Sequence, residues 1–98
     1  MNYPTQTDNP AKATTYNGWT NYETWNVSLY INNEFELYQM ACAFAKGRKY
    51  YANGTVTYNN FLPFLKNAYG LNTPDGVAWD ASNLDHKRLD EMLNELVA

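Results

Sequence analysis

Residues 19–33 read WTNYETWNVSLYINN, and this stretch decides the fold class because it predicts a helix that is apolar around most of its circumference. At about 100° per residue, Thr24, Ser28 and Asn32 share one narrow polar stripe, while aromatic and aliphatic side chains take the rest. A helix of this kind is covered by protein on more than one side. We therefore expect it to be the central helix of the domain, ending near Asn32 and Asn33.

A second helix is predicted from Glu34 to about Lys46. Asn33 followed by Glu36 is its cap signature, and Gly47 is the expected stop by the preference for glycine after a helix. The connector beyond it contains Asn53-Gly54, a hairpin signal, but the flanking residues alternate too poorly to favour strands. The face expected to be buried consists of Phe35, Leu37, Tyr38, Ala41, Cys42, Phe44 and Ala45.

A third helix is predicted from Phe61 to Tyr69, with Asn60 as its cap. This start places Pro63 in the first turn, where a missing backbone N–H leaves no hydrogen bond unmade. A start at Thr57 is the alternative, and it demands a kink at the proline.

The last helix is predicted after Ser82 as cap, beyond a Pro-Asp-Gly turn signal at residues 74–76. Trp79 is expected to pack beneath its start. The apolar stripe of this helix consists of Leu89, Met92, Leu93, Leu96 and Val97, with charged and amide residues opposite.

The sum is an all-α, four-helix domain over residues 18–98. Nine Tyr, four Phe and three Trp make up 16 % of the chain, so we predict an aromatic-rich core. Residues 1–17 hold two prolines and almost no aliphatic side chain, which predicts a flexible, disordered tail. Deleting residues 1–16 should leave the fold intact unless Tyr3 or Tyr16 docks on the body.

Several classes of protein are excluded by composition. One Cys and one His rule out an intramolecular disulfide, a Cys-based zinc site and a multi-histidine metal site. No apolar run reaches the ~18 residues of a membrane span, and no hydrophobic leader opens the chain, so we expect a cytoplasmic protein that binds no membrane. Because a phosphate-binding loop and a serine elbow are also missing, we expect neither an enzyme nor a cofactor.

Isolated reactive residues have simpler structural interpretations. His86 with Asp90, one turn apart, resembles a tuned base but has no nucleophile near it in sequence. Cys42 on an apolar helix face is expected to be inert. The acidic carboxyl-terminal region is expected to be a solvated surface rather than a metal site; it contains Asp80, Asp85, Asp90, Glu91 and Glu95.

Lys46, Arg48 and Lys49 form the basic cluster of the chain, next to Tyr50 and Tyr51. Cations beside aromatic rings can hold phosphate and stack a base, which makes nucleic-acid binding the alternative function. A net charge of −3 and the affinity of cations for helix carboxyl ends favour a structural interpretation instead.

Partner-binding candidates are aromatic and arginine side chains outside any regular apolar stripe, since a small domain cannot bury all its aromatics. They are Trp19, Arg48, Tyr50, Tyr51 and Tyr58. Asn26 is a separate case, because it lies within the apolar arc of the central helix. It either bridges to the backbone of another helix or faces a groove, and we favour the bridge.

The start of the central helix carries two cap signals: Thr20 with Glu23 as a capping box, and Asn21 as the competing cap. The string Gly18 to Val27 resembles the opening of a family of small uncharacterised proteins of bacteriophages, including cyanophages, and of bacterial plasmids. Its pattern reads W-x-N-Y/W-E-T-W-N-V, and the ending around Trp79 and residues 89–93 is similar too. We take the motif residues Thr20, Asn21, Tyr22, Glu23, Trp25 and Asn26 to be mainly structural.

The resemblance covers about residues 18–97 and implies a small accessory protein of a phage or mobile element, acting in the host bacterium. Our leading hypothesis is a non-enzymatic protein-binding module that modulates a host enzyme or defence system. The partner is then a host protein, and a homodimer is also considered. A virion-associated structural protein is a third hypothesis.

Overall fold

A computed structural model describes residues 16–51 and 54–97, with the backbone alone described for Tyr51. Over these residues the chain is all-α, with four α-helices and no β-strand. They are α1 (Tyr22–Asn33), α2 (Phe35–Lys46), α3 (Tyr58–Tyr69) and α4 (His86–Glu95), with a π-helical turn (Gly47–Tyr51) after α2. The predicted four-helix class is confirmed. The predicted tail lies outside the described residues except for Tyr16 and Asn17. No described helix combines the length and the apolar character that a membrane crossing requires.

Helix α1 packs against α2 and α4, whereas α4 packs against α1, α2 and α3, so the central position expected for α1 is taken by α4. Two members of the polar stripe of α1 face inward, since Thr24 is 0 % exposed and Ser28 is 2 % exposed, while Asn32 is exposed. Both hydroxyls are hydrogen-bonded, since Ser28 donates to the Trp25 carbonyl and Thr24 accepts from the Asp85 backbone N–H. Small side chains with satisfied polar atoms let α4 approach closely, which leaves the larger Trp25 only half-buried.

Helix α2 begins one residue later than its cap signal implied. The Glu34 carboxylate caps it by accepting from the Leu37 N–H at 2.9 Å, whereas Asn33 donates back to the Leu29 carbonyl within α1. Phe35, expected in the buried face, is 69 % exposed. The reason is geometric, because Phe35 lies about 200° around the helix from the buried Leu37.

Gly47 does not end the helical path. Its backbone is right-handed, at φ −61° and ψ −44°, and the chain continues through the π-helical turn to Tyr51. The C-terminal glycine rule needs a left-handed residue, so its application here was wrong although α geometry does stop at Lys46. Asn53 of the Asn-Gly signal lies outside the described residues, and the described part of the connector, residues 47–51 and 54–57, contains no strand.

Helix α3 has the earlier of the two starts considered, with Thr57 as cap, so the start at Phe61 with Asn60 as cap was wrong. The Thr57 hydroxyl accepts from the Asn60 N–H at 3.2 Å. Pro63 therefore lies inside the helix and cannot donate to the Asn59 carbonyl. Both residues are exposed, so water can solvate the freed carbonyl.

Helix α4 is capped by Asp85, not by Ser82, because the Asp85 carboxylate accepts from the Arg88 N–H at 3.1 Å. Its predicted apolar stripe is confirmed, with Leu96 half-buried and the other members buried. The predicted turn at residues 74–76 is also confirmed: the Gly76 N–H donates to the Thr73 carbonyl, and Gly76 has a φ of +89°.

The core is built on aromatic side chains, since Trp79, Tyr58 and Phe61 are the largest fully buried residues. The Tyr58 hydroxyl donates to the Trp79 carbonyl inside this core. Burial raises the pKa of the Tyr58 phenol. The expectation that Tyr58 stays partly exposed is therefore wrong, because the early start of α3 turns it inward.

Candidate functional site

A tight turn at Asn17-Gly18 precedes α1. Tyr16 and Trp19 exchange both backbone hydrogen bonds across it, and the φ angles of Asn17 and Gly18 are +49° and +86°. Two successive positive values define a type I′ turn, for which Asn-Gly is the preferred sequence. The signal was present in the sequence, but the predicted boundary between tail and domain falls between these two residues, and the turn was not predicted. The turn brings Tyr16 back over the first turns of α1.

Three aromatic side chains meet at this point, and we name Tyr16, Tyr22 and Trp25 the aromatic patch. The Tyr16 ring centroid lies 4.9 Å from that of Trp25 and 5.3 Å from that of Tyr22. Tilted and edge-to-face rings at such distances attract one another. Tyr16 is 40 % exposed and Tyr22 is 38 % exposed, so the patch is ordered yet open to solvent.

The other side of the motif ties the start of α1 to the start of α4. Asn21 caps α1 by accepting from the Thr24 N–H at 2.8 Å and donates to the Asn83 carbonyl at 2.7 Å. Thr20 is not the cap, since its hydroxyl donates to the Asp85 carboxylate instead. That hydrogen bond, with the Arg88 backbone N–H, holds the pKa of Asp85 below its usual range.

Asn26 is a buried bridge, as favoured, but its partner is a loop rather than a helix backbone. Its amide donates to the Asp75 carboxylate at 2.8 Å and accepts from the Thr73 hydroxyl at 2.7 Å. The Tyr30 hydroxyl also donates to Asp75, and this hydrogen bond raises the pKa of the Tyr30 phenol. The motif residue Asn26 thereby holds the turn at residues 74–76 against α1.

A groove runs between α1 and α4, with a volume of about 430 Å³. We name it the α1/α4 groove; it is lined by Trp19, Asn32, Arg88, Glu91, Met92, Glu95 and Leu96. The Arg88 guanidinium lies 4.4 Å from the centre of the Trp19 ring, and its Nε is 4.0 Å from Glu91. Trp19, a predicted partner-binding residue, thus lines a concave surface at the start of α4.

The basic cluster lies at the other end of α4. Arg48 donates to the Thr55 carbonyl at 3.3 Å, and Lys49 donates to the Val97 carbonyl at 3.3 Å. Tyr50 is 63 % exposed, with the Lys49 amine 5.8 Å from its ring centre. The Tyr51 side chain lies outside the described residues. The partner-binding candidates are therefore not gathered in one place. Trp19 contacts Arg88 in the first turn of α4, whereas Lys49, which lies between Arg48 and Tyr50, contacts Val97 just beyond its last turn.

The remaining reactive residues form no catalytic arrangement among the described residues. Asp90 accepts from the Tyr58 backbone N–H at 2.7 Å, while the His86 ring lies edge-on to Tyr58. Cys42 is a half-buried free thiol. Within residues 16–51 and 54–97, no cluster of His, Cys, Asp or Glu is arranged to hold a metal ion.

Comparison with known proteins places the chain in a family without assigning it an activity. No curated protein sequence and no solved structure shows significant similarity to it. A family model does match, and it covers residues 12–98, nearly the whole chain. The chain belongs to this family, which is described as a family of unknown function (DUF7249).

Proposed function

We propose that this chain is a non-enzymatic protein-binding module and that the aromatic patch is its main contact surface. The observation that carries the proposal is the exposure of Tyr16 and Tyr22, beside motif residues that hold the fold together. Thr20, Asn21, Thr24 and Asn26 all make hydrogen bonds that hold the fold together. Tyr22 makes only aromatic contacts within the patch itself.

The physical character of the patch supports binding to protein. Tyrosine and tryptophan are the residue types that most often dominate interface energies. Each has few rotatable bonds, and here the rings are already held by one another and by the type I′ turn. Association would therefore cost little side-chain entropy.

The setting comes from the resemblance to phage and plasmid proteins. A small accessory protein of a mobile element acts on the cell that it enters, so we propose a host protein as partner and the host cytoplasm as the place of action. Binding would then modulate a host enzyme or defence system.

Nucleic-acid binding through residues 46–51 has less support. Arg48 and Lys49 already donate to backbone carbonyls of the chain, which restricts their approach to phosphate. The net charge of −3 opposes association with a polyanion. Tyr50 with Lys49 is the part of this cluster that favours the alternative.

Capture from a host lysate with patch variants tests the proposal. The full chain would be compared with Tyr22→Ser and with Phe35→Ser, a control that removes an exposed ring from another surface. We expect a set of host proteins that the Phe35→Ser variant retains and the Tyr22→Ser variant loses, with both variants folded by circular dichroism. Equal capture by all three chains would refute the patch as the contact surface.

The alternative is tested on the same preparations with fluorescent oligonucleotides, single-stranded and duplex. We expect no saturable binding at physiological salt. Sub-micromolar binding that weakens steeply with salt and disappears in a Lys46→Gln, Arg48→Gln, Lys49→Gln chain would establish nucleic-acid binding instead.

A further inference from the structure

The carboxyl end of α4 carries an unfavourable arrangement of charge. Glu95 is the last residue of the helix, where the helix dipole disfavours a negative charge. Glu91 lies one turn earlier on the same side, and like charges at this spacing repel. The last turn of α4 contains no basic residue. Local helix energetics therefore do not explain why a glutamate stands at position 95.

Among the described residues, the cations around Glu95 have other partners. Lys66 pairs with Asp80 at 2.7 Å and Arg88 pairs with Glu91 at 4.0 Å. Glu95 has no such ion-pair partner within residues 16–51 and 54–97. Arg88 is stacked on Trp19 and shared with Glu91. Lys49, although close to the end of α4, donates to the Val97 carbonyl. Within the part of the chain that the structure describes, the Glu95 carboxylate is therefore available to a cation supplied by a partner.

Glu95 lines the α1/α4 groove, so its charge lies on a concave surface. Met92 is buried and Leu96 half-buried, so both lie deeper in the groove than the exposed Glu91 and Glu95. From Arg88 to Glu95, α4 extends about 10 Å, long enough to receive about two turns of a helix. With one arginine and two glutamates, the groove carries a net negative charge above apolar side chains.

We propose that the α1/α4 groove binds a basic amphipathic segment of a partner protein, with a lysine or arginine at Glu95 and apolar side chains on Met92 and Leu96. Such a segment supplies the missing cation, and its apolar face covers surface that water otherwise meets. The inference rests on the proposed protein-binding function and names the chemistry of the partner. The groove is a surface distinct from the aromatic patch, so an experiment can refute either proposal without refuting the other.

The test uses synthetic helical peptides of about 15 residues and the isotope-labelled full chain. The probe carries lysines beside a leucine stripe, and its control carries glutamates in place of the lysines. We expect amide resonances of Asn32, Glu91, Glu95 and Leu96 to shift with the lysine peptide and not with the glutamate peptide. The affinity should fall as salt is raised, because the pairing charges are exposed.

Substitution separates binding from structure. Glu95→Gln should weaken the lysine peptide about two- to fivefold while it raises the melting temperature, since a misplaced charge is removed. Glu36→Gln, which removes the same charge from the start of α2, should leave the affinity unchanged. A Tyr22→Ser chain should bind the peptide as well as the unaltered chain does, even where it has lost its host partner.

Three results would overturn the inference. The first is equal binding of both peptides, or shifts located outside the groove. The second is a concentration-dependent shift of the groove resonances without peptide, which would assign the groove to a second copy of the chain. The third is a shift of those resonances on Lys12→Gln alone, which would assign it to the chain's own residues 1–15.

Discussion

The backbone N–H of Asp85 donates to the hydroxyl of Thr24 at 2.9 Å, across 61 positions of the chain. Asp85 is also the cap of α4 and the acceptor for Thr20. Both helix starts are therefore joined through one aspartate, and the motif at the start of α1 is required for α4 as much as for α1. This coupling makes the pair the most direct place to test the fold.

Replacing Thr24 by valine should destabilise the chain by about 1–3 kcal/mol. Valine keeps the shape of threonine but offers no acceptor, so the Asp85 N–H loses its partner at a part-buried position. Urea denaturation measures the difference. Thr55→Val at an exposed position is the matched control and should change the free energy of unfolding by no more than about 0.5 kcal/mol.

Acid should weaken the fold through Asp85. Its folded-state pKa is lowered by the Thr20 hydroxyl and the Arg88 N–H. The stabilisation is thus fully present above the unfolded-state value of about 3.9 and is lost as the pH falls through the folded-state pKa. We expect the urea concentration at the unfolding midpoint to decrease as the pH drops below about 4. This decrease should be smaller in Asp85→Asn.

Asp80 complicates this comparison in a predictable way. Lys66 lowers the pKa of Asp80 too, so this residue contributes with the same sign. Its side chain is 52 % exposed, however, and solvent screens exposed pairs. Asp80→Asn should therefore flatten the pH dependence less than Asp85→Asn does, and the reverse order would show that the Thr20 hydrogen bond contributes little.

The Asn26 bridge should show strong pairwise coupling with Asp75. Asn26→Ala leaves the Thr73 hydroxyl and the Asp75 carboxylate short of partners, at a cost of about 1–3 kcal/mol. In a double-mutant cycle with Asp75→Ala, the two losses should not add. Additive losses would mean that the loop at residues 74–76 is held by other contacts. Asn33→Ala, on an exposed amide, is the control.

Helix existence was predictable from periodicity and caps, but helix orientation was not. Helix α1 is apolar over so much of its surface that its sequence does not tell which side faces α4. Thr24 and Ser28 became buried because their hydroxyls find acceptors or donors within reach, one of them 61 positions away. Such a partner appears only when the chain has folded, so hydrophobic patterning alone does not predict that these residues are buried.

Errors at helix ends have a different origin. The helix caps are Asn21, Glu34, Thr57 and Asp85, and in each case another cap candidate lies one to three residues away. Propensity ranks residue types and does not choose between adjacent candidates. The aromatic patch was missed for a different reason, because the turn signal of Asn17-Gly18, at the boundary between the predicted tail and the domain, was not used.

Two glycine substitutions should have opposite effects. Gly18→Ala forces alanine into a left-handed backbone at φ +86° and should cost about 1–2 kcal/mol, although nothing lies within 4 Å of the new methyl group. Gly47→Ala falls in right-handed helical backbone with equal space and should stabilise by about 0.5–1 kcal/mol. Thermal melts of the two variants test the assignment, and equal signs would contradict the type I′ turn.

Removing the residues before the turn should separate the tail from the patch. Deleting residues 1–15 should leave the melting temperature nearly unchanged, because this segment has almost no aliphatic side chain to anchor it. Deleting residue 16 as well removes a ring that lies 4.9 Å from Trp25 and 5.3 Å from Tyr22, and should cost about 1–2 kcal/mol. Tyr16→Ala in the full chain should reproduce that loss. If the two shortened chains have the same melting temperature, Tyr16 does not order the aromatic patch. Binding of a partner would then have to offset the entropy cost of assembling the patch.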